Sequence, residues 1–332
     1  MRILFIYVSN VIKSPIIRGL NQIKQMRKKI FMAGCGGMLG EAFYNVFKNS
    51  HDIVATDKFK SDEWIEVLDF RNKEEYRKAV IDQGPDYLFH IGAYTDLEFC
   101  ENNIDDAYLT NTISVDYAIS IANELNIPLL YISTAGIFDG SKNIYDDWDT
   151  PNPLGVYARS KYIAERNVLE NANKYLICRA GWMMGGGIKK HKKFINKLLS
   201  QIKSGATDLF IVNDKDGTPT YTYDFANNVK YLCENNMFGL FNLVCGGQTS
   251  RLEVAKEVIN HLGLETDIKI TEVSSAYFAK TYFAERPISE RLVNYKLNLL
   301  NANLMRDWKD ALTEYLDVEF GDLKKKHKMM NI

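Results

Sequence analysis

A glycine-rich turn between an apolar segment and a helical pattern constrains the fold more than any other feature of this sequence. The segment KIFMAG (residues 29–34) runs into Gly34, Gly37 and Gly40, and EAFYNVFKN then has the apolar spacing of a helix. In this order the glycines permit a tight turn, close approach of backbone N–H groups to a pyrophosphate, and packing of the helix on the strand. We therefore predict a dinucleotide-binding unit that includes Met38 and Leu39, with an ordinary strand-to-helix turn as the alternative.

Two acidic residues follow the glycine turn. Asp57 ends the second apolar segment, where a carboxylate can accept hydrogen bonds from ribose hydroxyls. It should repel a 2′-phosphate and so prefer NAD(H), although the adjacent Lys58 can partly compensate and admit NADP(H). Asp69 follows the third segment and is either an adenine contact or the N-cap of a helix in RNKEEYRK. NAD(H) is therefore the preferred cofactor, and both interpretations of Asp69 stay open.

Six short apolar segments alternate with helical patterns between Lys29 and Ala180. They are KIFMAG, DIVATD, WIEVLD, DYLFHIG, PLLYIST and YLICRA. This alternation predicts a parallel sheet, and right-handed crossovers would place helices on both of its faces. The predicted fold class is α/β, a Rossmann-type doubly wound parallel sheet with a smaller C-terminal substrate-binding lobe. Ligands in such sheets bind at the carboxyl ends of the strands.

The rest of the chain is organised around this sheet. Residues 1–25 precede the strand-turn-helix unit, so we expect a dispensable N-terminal appendage. Residues 26–180 are the predicted NAD(P)-binding domain. Beyond residue 180 the alternation loosens into a glycine run (185–187), a basic helical pattern and the helix RLEVAKEVINHLG. No flexible linker separates the parts, so we expect residues 181–332 to form a lobe interleaved with the first domain in one compact body.

Charge, cysteine and histidine patterns exclude several classes of function. The 332 residues carry 41 basic and 42 acidic side chains, which provides no broad field for nucleic acid. No apolar run approaches the roughly 20 residues of a membrane-spanning helix, so no membrane partner is expected. The 5 cysteines form no CxxC pair and the 5 histidines no HExxH motif, which argues against disulfides and a metal site. We expect a cytoplasmic protein with reduced thiols, and a homodimer is left open.

A hydroxyl, a phenol and an ammonium group occur at spacings typical of proton transfer. The segment PLLYIST ends at Ser133 and Thr134, and Tyr157 and Lys161 follow as an i,i+4 pair. Such a pair lies on one helix face about 6 Å apart, so the ammonium is expected to lower the phenol pKa from about 10. Thr134 would orient a substrate oxygen while Tyr157 transfers a proton. Such a Tyr-Lys pair also occurs by chance on surface helices, but the glycine turn upstream favours the catalytic interpretation.

Together these motifs resemble the extended short-chain dehydrogenase/reductase superfamily and, within it, the dTDP-4-dehydrorhamnose reductase family. The resemblance covers about Lys29 to Trp308 and rests also on GAYT (92–95), LTNTISVDYAI, STAGIFDG, YARSK, RAGW (179–182), DGTPTYTYD and Arg286-Pro287. It implies a nicotinamide-dependent oxidoreductase that acts on a nucleotide-linked sugar.

The resemblance also implies roles for individual residues. Thr134, Tyr157 and Lys161 would be the catalytic set, and Lys161 would also hold the nicotinamide ribose. Asn111 would help to order a water relay. Ala93 and Thr95 would lie along the cofactor.

Several positions depart from the family's pattern and leave the sugar undefined. Ala135-Gly136 stands where the family commonly has Asp-Tyr, and is more similar to a sugar-nucleotide 4-epimerase. Ser289 and Glu290 replace the asparagine and serine that follow RPx, at positions that face the sugar in the family.

The candidate substrate-binding residues are Thr134, Trp182, Tyr221 and Arg286. Arg286 would receive the pyrophosphate through charge-assisted hydrogen bonds. Tyr221 would stack on a base or sugar, although a packed tyrosine is the default for this residue type.

The leading hypothesis is an NAD(P)H-dependent reductase of a nucleotide-linked 4-keto-deoxysugar, in which Tyr157 supplies the proton. One alternative is an epimerase that retains its NAD and returns the hydride to the other face of the sugar. Another is a non-catalytic regulatory subunit like that of methionine adenosyltransferase, which also resembles this family.

Overall fold

The computed structural model describes residues 27–191 and 193–330, with side chains described as far as residue 322. The appendage expected at residues 1–25 lies outside the described residues. The strands are β1 (Lys29–Ala33), β2 (Asp52–Asp57), β3 (Glu66–Val67), β4 (Tyr87–His90), β5 (Leu129–Thr134), β6 (Tyr175–Ala180), β7 (Trp182–Met184), β8 (Asp208–Val212), β9 (Asp216–Gly217), β10 (Pro219–Tyr221), β11 (Gly239–Asn242), β12 (Thr249–Ser250), β13 (Lys269–Val273) and β14 (Ser289–Glu290).

Helices connect most of these strands. They are α1 (Met38–Phe47), α2 (Lys73–Gln83), α3 (Leu97–Asn102), α4 (Ile104–Tyr108), α5 (Ser114–Leu125), α6 (Val156–Asn171), α7 (Gly187–Lys190), α8 (Phe194–Lys203), α9 (Thr222–Glu234), α10 (Arg251–Leu262), α11 (Tyr295–Leu299) and α12 (Trp308–Met330). A π-helical turn (Leu109–Ile113) joins α4 to α5, and short 3₁₀ turns occupy Ala135–Ile137 and Ser275–Phe278.

Seven parallel strands form the central sheet in the order β11-β6-β5-β4-β1-β2-β3. Strands β1 to β6 coincide with the six apolar segments, so the predicted Rossmann-type sheet is confirmed. The seventh strand, β11, comes from the chain beyond residue 180. The strand order changes direction between β1 and β4, and the crevice at such a switch point is where α/β sheets bind ligands.

Alternate residues of β1 face opposite layers of the core. Ile30 and Met32 belong to one buried cluster together with Phe43 of α1, and Phe31 and Ala33 belong to a second. Helices α1 and α9 pack together on the first side, and α2, α5 and α6 pack on the second. Both faces of the sheet are therefore covered, which explains why its strands are apolar throughout instead of alternating.

A smaller lobe follows β6 and lies over the carboxyl ends of the central strands. It contains the paired strands β7 and β10, β8 and β13, and β12-β9-β14. Leu243, which directly follows β11, donates its N–H to the Arg179 carbonyl and so extends the pairing of β11 with β6. In the described ranges no helix is long and apolar enough to cross a bilayer.

Candidate active site

A cleft of about 1030 Å³ separates the carboxyl edge of the central sheet from the lobe. Its volume is at the upper end of the range for ligand sites, which suits a cofactor and a second ligand together. Most residues selected from the sequence line it. These are Gly34, Gly37, Met38, Leu39, Gly40, Asp57, Asp69, Ala93, Thr95, Thr134, Tyr157, Lys161, Trp182 and Arg286.

The glycine turn has the tight geometry that the spacing predicts. Gly34 has φ +89°, and a Cβ on it would lie 2.2 Å from the Gly92 Cα. A Cβ on Gly40 would lie 2.1 Å from the Cys35 carbonyl oxygen, so α1 packs directly on the turn. At Gly37 no atom lies within 4 Å of a built Cβ, and its face is open to the cleft. The turn therefore leaves room for a phosphate group beside the N-terminus of α1.

Acidic and basic side chains meet where β2 and β3 end. Asp57 accepts a hydrogen bond from the Gly36 N–H at 2.9 Å, so its carboxylate borders the glycine turn. Arg71 donates to both carboxylate oxygens of Asp69, and these bonds lower the pKa of Asp69. The helix N-cap is Asn72, whose side chain accepts from Glu75, so the N-cap interpretation of Asp69 is wrong.

Lys58 adds a second cation to this end of the cleft. Its Nζ donates to the Tyr94 hydroxyl at 3.2 Å, and Arg71 reaches the same hydroxyl at 3.4 Å. Both side chains also line the cleft together with Asp57. This end of the cleft thus carries two carboxylates, Asp57 and Asp69, and two cations, of which Arg71 is paired with Asp69. The sequence analysis did not identify Arg71.

The proposed catalytic set lies near the middle of the cleft. Thr134 ends β5, Tyr157 lies in the first turn of α6, and Lys161 follows one turn later. Burial raises the pKa of Tyr157 to about 12, and a hydrogen bond with Thr134 offsets part of this rise. Burial lowers the pKa of Lys161 to about 7, and its Nζ lies 4.2 Å from the centre of the Tyr131 ring.

The expected depression of the phenol pKa is therefore not observed. Removal from water disfavours the charged form of each group, which raises the pKa of Tyr157 and lowers that of Lys161. The Lys161 ammonium lies over the face of the Tyr131 ring. At neutral pH the phenol is protonated, as a proton donor must be.

Asn111 lies within the π-helical turn and is fully buried. Its side chain accepts from the Tyr94 N–H at 2.8 Å and donates to the Tyr94 carbonyl at 3.0 Å and to Ser160 at 3.1 Å. It therefore joins the strand-end loop to helix α6, and it is not among the residues that line the cleft. Its role in a water relay stays a prediction.

The substrate candidates differ in where their side chains lie. Trp182 lines the cleft, and its indole N–H donates to Glu290 at 2.7 Å. Arg286 lines it too, but its guanidinium is paired with Glu98 at 2.7 Å. Tyr221 is 3% exposed, packs against two other tyrosines and does not line the cleft, so its position favours the packed interpretation.

Arg251 is a second cleft residue that sequence reasoning missed. It begins α10, and its guanidinium stacks on the Trp182 ring at 3.6 Å from the ring centre. Burial and the nearby Arg286 lower its pKa to about 10, so it remains charged at neutral pH. Lys193 is another cation in the cleft. Its pKa is lowered by burial and, to a smaller extent, by the charges of Arg251 and Arg286. No motif marks Arg251, because only the fold brings α10 to the cleft.

Two buried hydroxyls in the cleft are available to hydrogen-bond a nicotinamide cofactor. Among the described residues, the side-chain oxygens of Thr110 and Ser133 have no hydrogen-bond partner, and both residues line the cleft. Buried polar atoms normally have partners, so these two hydroxyls are available to a polar ligand. Together with the open face of Gly37 and the ribose-side carboxylate of Asp57, they fit the cofactor.

A Rossmann-type sheet with a glycine turn and a Tyr-Lys pair at one cleft defines an extended short-chain dehydrogenase/reductase that uses a nicotinamide cofactor. The chain belongs to the RmlD substrate-binding domain family, whose sequence model matches residues 28–320.

Individual relatives extend over nearly the whole chain. The spore coat polysaccharide biosynthesis protein SpsK of Bacillus subtilis is 27% identical over 290 residues, which is 87% of this chain and 96% of SpsK. The crystal structure of a dTDP-4-dehydrorhamnose reductase from Clostridium acetobutylicum is 29% identical with a TM-score of 0.80, covering 87% of this chain and 99% of that one. The Bacillus anthracis dTDP-4-dehydrorhamnose reductase in complex with NADP is 26% identical with a TM-score of 0.80, covering 88% and 99%.

Proposed function

We propose that this protein is an NAD(P)H-dependent reductase of a nucleotide-linked 4-keto-deoxysugar, similar to dTDP-4-dehydrorhamnose reductase. The observation that carries the proposal is that Thr134, Tyr157 and Lys161 line the same cleft as the glycine turn. The two reductase structures reported above match this chain over almost their full lengths, which supports the same activity.

Thr134 and Tyr157 provide a route for the proton that the reduction consumes. When bound, the reduced nicotinamide supplies a hydride to the carbonyl carbon. Thr134 positions the carbonyl oxygen, and Tyr157 donates its proton to that oxygen as negative charge develops. The raised pKa of Tyr157 keeps the phenol protonated at neutral pH.

Lys161 has two tasks in this scheme. Its position one turn after Tyr157 allows the ammonium to stabilise the phenolate once the proton has left. It also donates to the hydroxyls of the nicotinamide ribose. Because its pKa is lowered to about 7, the charge that does this work is sensitive to pH in the neutral range.

A nucleotide-linked sugar brings a diphosphate, and the lobe side of the cleft carries cations for it. Arg251 has no hydrogen-bonded side-chain partner among the described residues, so its donors are free for a phosphate. Lys193 adds a second positive charge nearby. Arg286, which the sequence analysis proposed for this role, forms an ion pair with Glu98. Any contribution of Arg286 to diphosphate binding would therefore come from the pair and not from a free guanidinium.

Both forms of the cofactor suit the ribose end of the cleft. The Asp57 carboxylate favours NADH, and Lys58 supplies charge for the 2′-phosphate of NADPH, whereas the charge of Arg71 is already paired with Asp69. The relative from Bacillus anthracis is complexed with NADP, so the comparisons do not support a preference for NADH. We infer that the enzyme accepts both, and that Asp57 sets their ratio. The 5 free, buried thiols favour a reducing compartment such as the cytoplasm.

The two alternatives derived from the sequence have less support. An epimerase that retains NAD and a regulatory subunit both fit the sheet, but the two solved structures reported above, each with a TM-score of 0.80, are of reductases.

Tyr157→Phe tests the proposed function directly. Parent and variant are incubated with dTDP-4-dehydrorhamnose and NADPH or NADH, and the loss of reduced nicotinamide is followed by absorbance. Removal of the phenol should lower kcat by about 100-fold to 10,000-fold, the typical contribution of a general acid. Cofactor affinity should persist, since the ring still packs. If the variant keeps nearly normal turnover, Tyr157 is not the proton donor.

A further inference from the structure

A carboxylate reaches the sugar side of the cleft from strand β14. The strand pairs in parallel with β9, and this register sets Glu290 beside Gly217. A Cβ on Gly217 would lie 2.2 Å from the Trp182 ring, so the indole packs over this glycine and meets Glu290. The indole N–H donates to Glu290 Oε2 at 2.7 Å, which fixes the orientation of the carboxylate.

The second oxygen of the same carboxylate borders an empty side-chain position. Glu290 Oε1 lies 3.3 Å from the place that a Cβ on Gly136 would take, and Thr134 Oγ1 lies 3.5 Å from that place. Among the described residues Oε1 makes no hydrogen bond. Because residue 136 is glycine, it places no side chain over this oxygen, and Glu290 and Thr134 flank the same space.

The surroundings of Glu290 are part of the reaction site. Its charge is one of the smaller influences that raise the pKa of Tyr157, after burial, so it lies near the phenol. It lines the main cleft and also a side cavity of about 40 Å³ whose wall includes Gly136 and Tyr157. The side cavity therefore leaves room for a small polar substituent between Glu290 and Tyr157.

We propose that Glu290 is a specificity-determining residue that accepts a hydrogen bond from the hydroxyl on the ring carbon next to the substrate carbonyl. The inference rests on the proposed function and specifies its sugar. With the carbonyl oxygen held at Thr134, the neighbouring hydroxyl points to Oε1. An ionised carboxylate has acceptor oxygens and no donor. Rings with a hydroxyl at this carbon are therefore preferred, and rings without a donor or with a carboxylate there are rejected.

Glu290→Gln is the most informative variant, because one amide oxygen can still accept from Trp182 while the free acceptor becomes an NH₂ donor. Each protein is assayed with dTDP-4-dehydrorhamnose and with its 3-deoxy analogue, which lacks only the hydroxyl beside the carbonyl. Glu265→Gln is the matched control, since Glu265 is an exposed carboxylate that lines neither the main cleft nor the side cavity. Should the Gln variant fail to fold, Gly136→Ala displaces Oε1 by placing a methyl group 3.3 Å from it.

The parent should prefer the hydroxylated substrate by at least about 100-fold in kcat/KM, because an unpaired polar group in the site penalises the analogue. Glu290→Gln should lose about 10-fold to 100-fold on the hydroxylated substrate and little on the 3-deoxy analogue. Glu265→Gln should match the parent. An equal loss on both sugars would overturn the assignment.

Binding separates this inference from the proposed function. Calorimetry compares dTDP-rhamnose with dTDP alone, which lacks the sugar. The extra affinity for the sugar should shrink in Glu290→Gln while dTDP affinity is kept, and an unchanged difference overturns the role of Glu290. Failure of the parent to oxidise NADPH with either sugar would overturn the reductase activity, whatever the binding result.

Discussion

Burial of Lys161 leads to a prediction in which activity and stability move in opposite directions. The side chain is 4% exposed, and burial lowers its pKa from the ordinary 10.5 to about 7. At about 1.4 kcal/mol for each tenfold change in protonation, this corresponds to about 5 kcal/mol of unfavourable folding energy when the group is charged. This figure already includes the contact between the Lys161 ammonium and the Tyr131 ring. Relaxation of the structure around the substituted side chain reduces the stability gained on mutation. Lys161→Met should therefore stabilise the protein by about 2–4 kcal/mol near pH 6.

The sign of the pH dependence follows from the two pKa values. Below about pH 7 the lysine is charged in both the folded and the unfolded chain, so the folded protein carries the whole cost. Between about pH 7 and 10.5 the unfolded chain binds a proton that the folded protein does not, and the stability of the parent rises with pH. The advantage of Lys161→Met should therefore be greatest near pH 6 and shrink through this window.

Thermal or urea unfolding of parent and variant across this pH range measures the effect. Lys174→Met is the matched control, because Lys174 lies 4.3 Å from the centre of the Phe238 ring but is exposed. Its substitution should change stability by less than about 0.5 kcal/mol. The reasoning is refuted if Lys161→Met is no more stable than the parent near pH 6, or if its advantage does not change with pH. Lys161→Met should also lose turnover and cofactor affinity.

Two further predictions concern the cofactor and the core. Asp57→Ala should shift the ratio of NADPH to NADH affinity upward by about 10-fold and Lys58→Ala should shift it downward, as measured by fluorescence titration; an unchanged ratio would show that Asp57 does not contact the ribose. Glu165→Ala leaves the buried guanidinium of Arg179, which Glu165 contacts at 2.6 Å, without its charge partner. Glu165→Ala should lower the free energy of unfolding, measured in urea, by about 3–5 kcal/mol. Glu170→Ala, which breaks an exposed pair, should lower it by less than about 1 kcal/mol, and an equally small loss for Glu165→Ala would contradict this prediction.

The positions of the first six central strands follow closely from the sequence, because parallel strands buried on both faces leave continuous apolar segments. The glycine spacing likewise fixes the turn, where Gly34 and Gly40 leave no room for a side chain. Strand β11 was not identified, since GLFN (239–242) is short and lies within the less regular C-terminal part.

The site was less completely predictable for two reasons. The pKa of Tyr157 depends on how deeply the fold buries it, and an i,i+4 spacing contains no information on burial. Arg251 and Glu290 lie on α10 and β14, far along the chain from Trp182, and only the tertiary structure brings the three side chains together. Tyr221 was selected for its residue type, and the fold places it in the core.

Deuteride transfer tests the central claim most directly. The full-length protein is incubated with dTDP-4-dehydrorhamnose and NADPH that carries deuterium at the transferable position of the nicotinamide, and the sugar nucleotide is analysed by mass spectrometry. A reductase should place one deuterium on the former carbonyl carbon for each NADPH oxidised, and Tyr157→Phe should slow both in proportion. A rearranged sugar without deuterium and without net NADPH oxidation, or no conversion at all, would contradict the account.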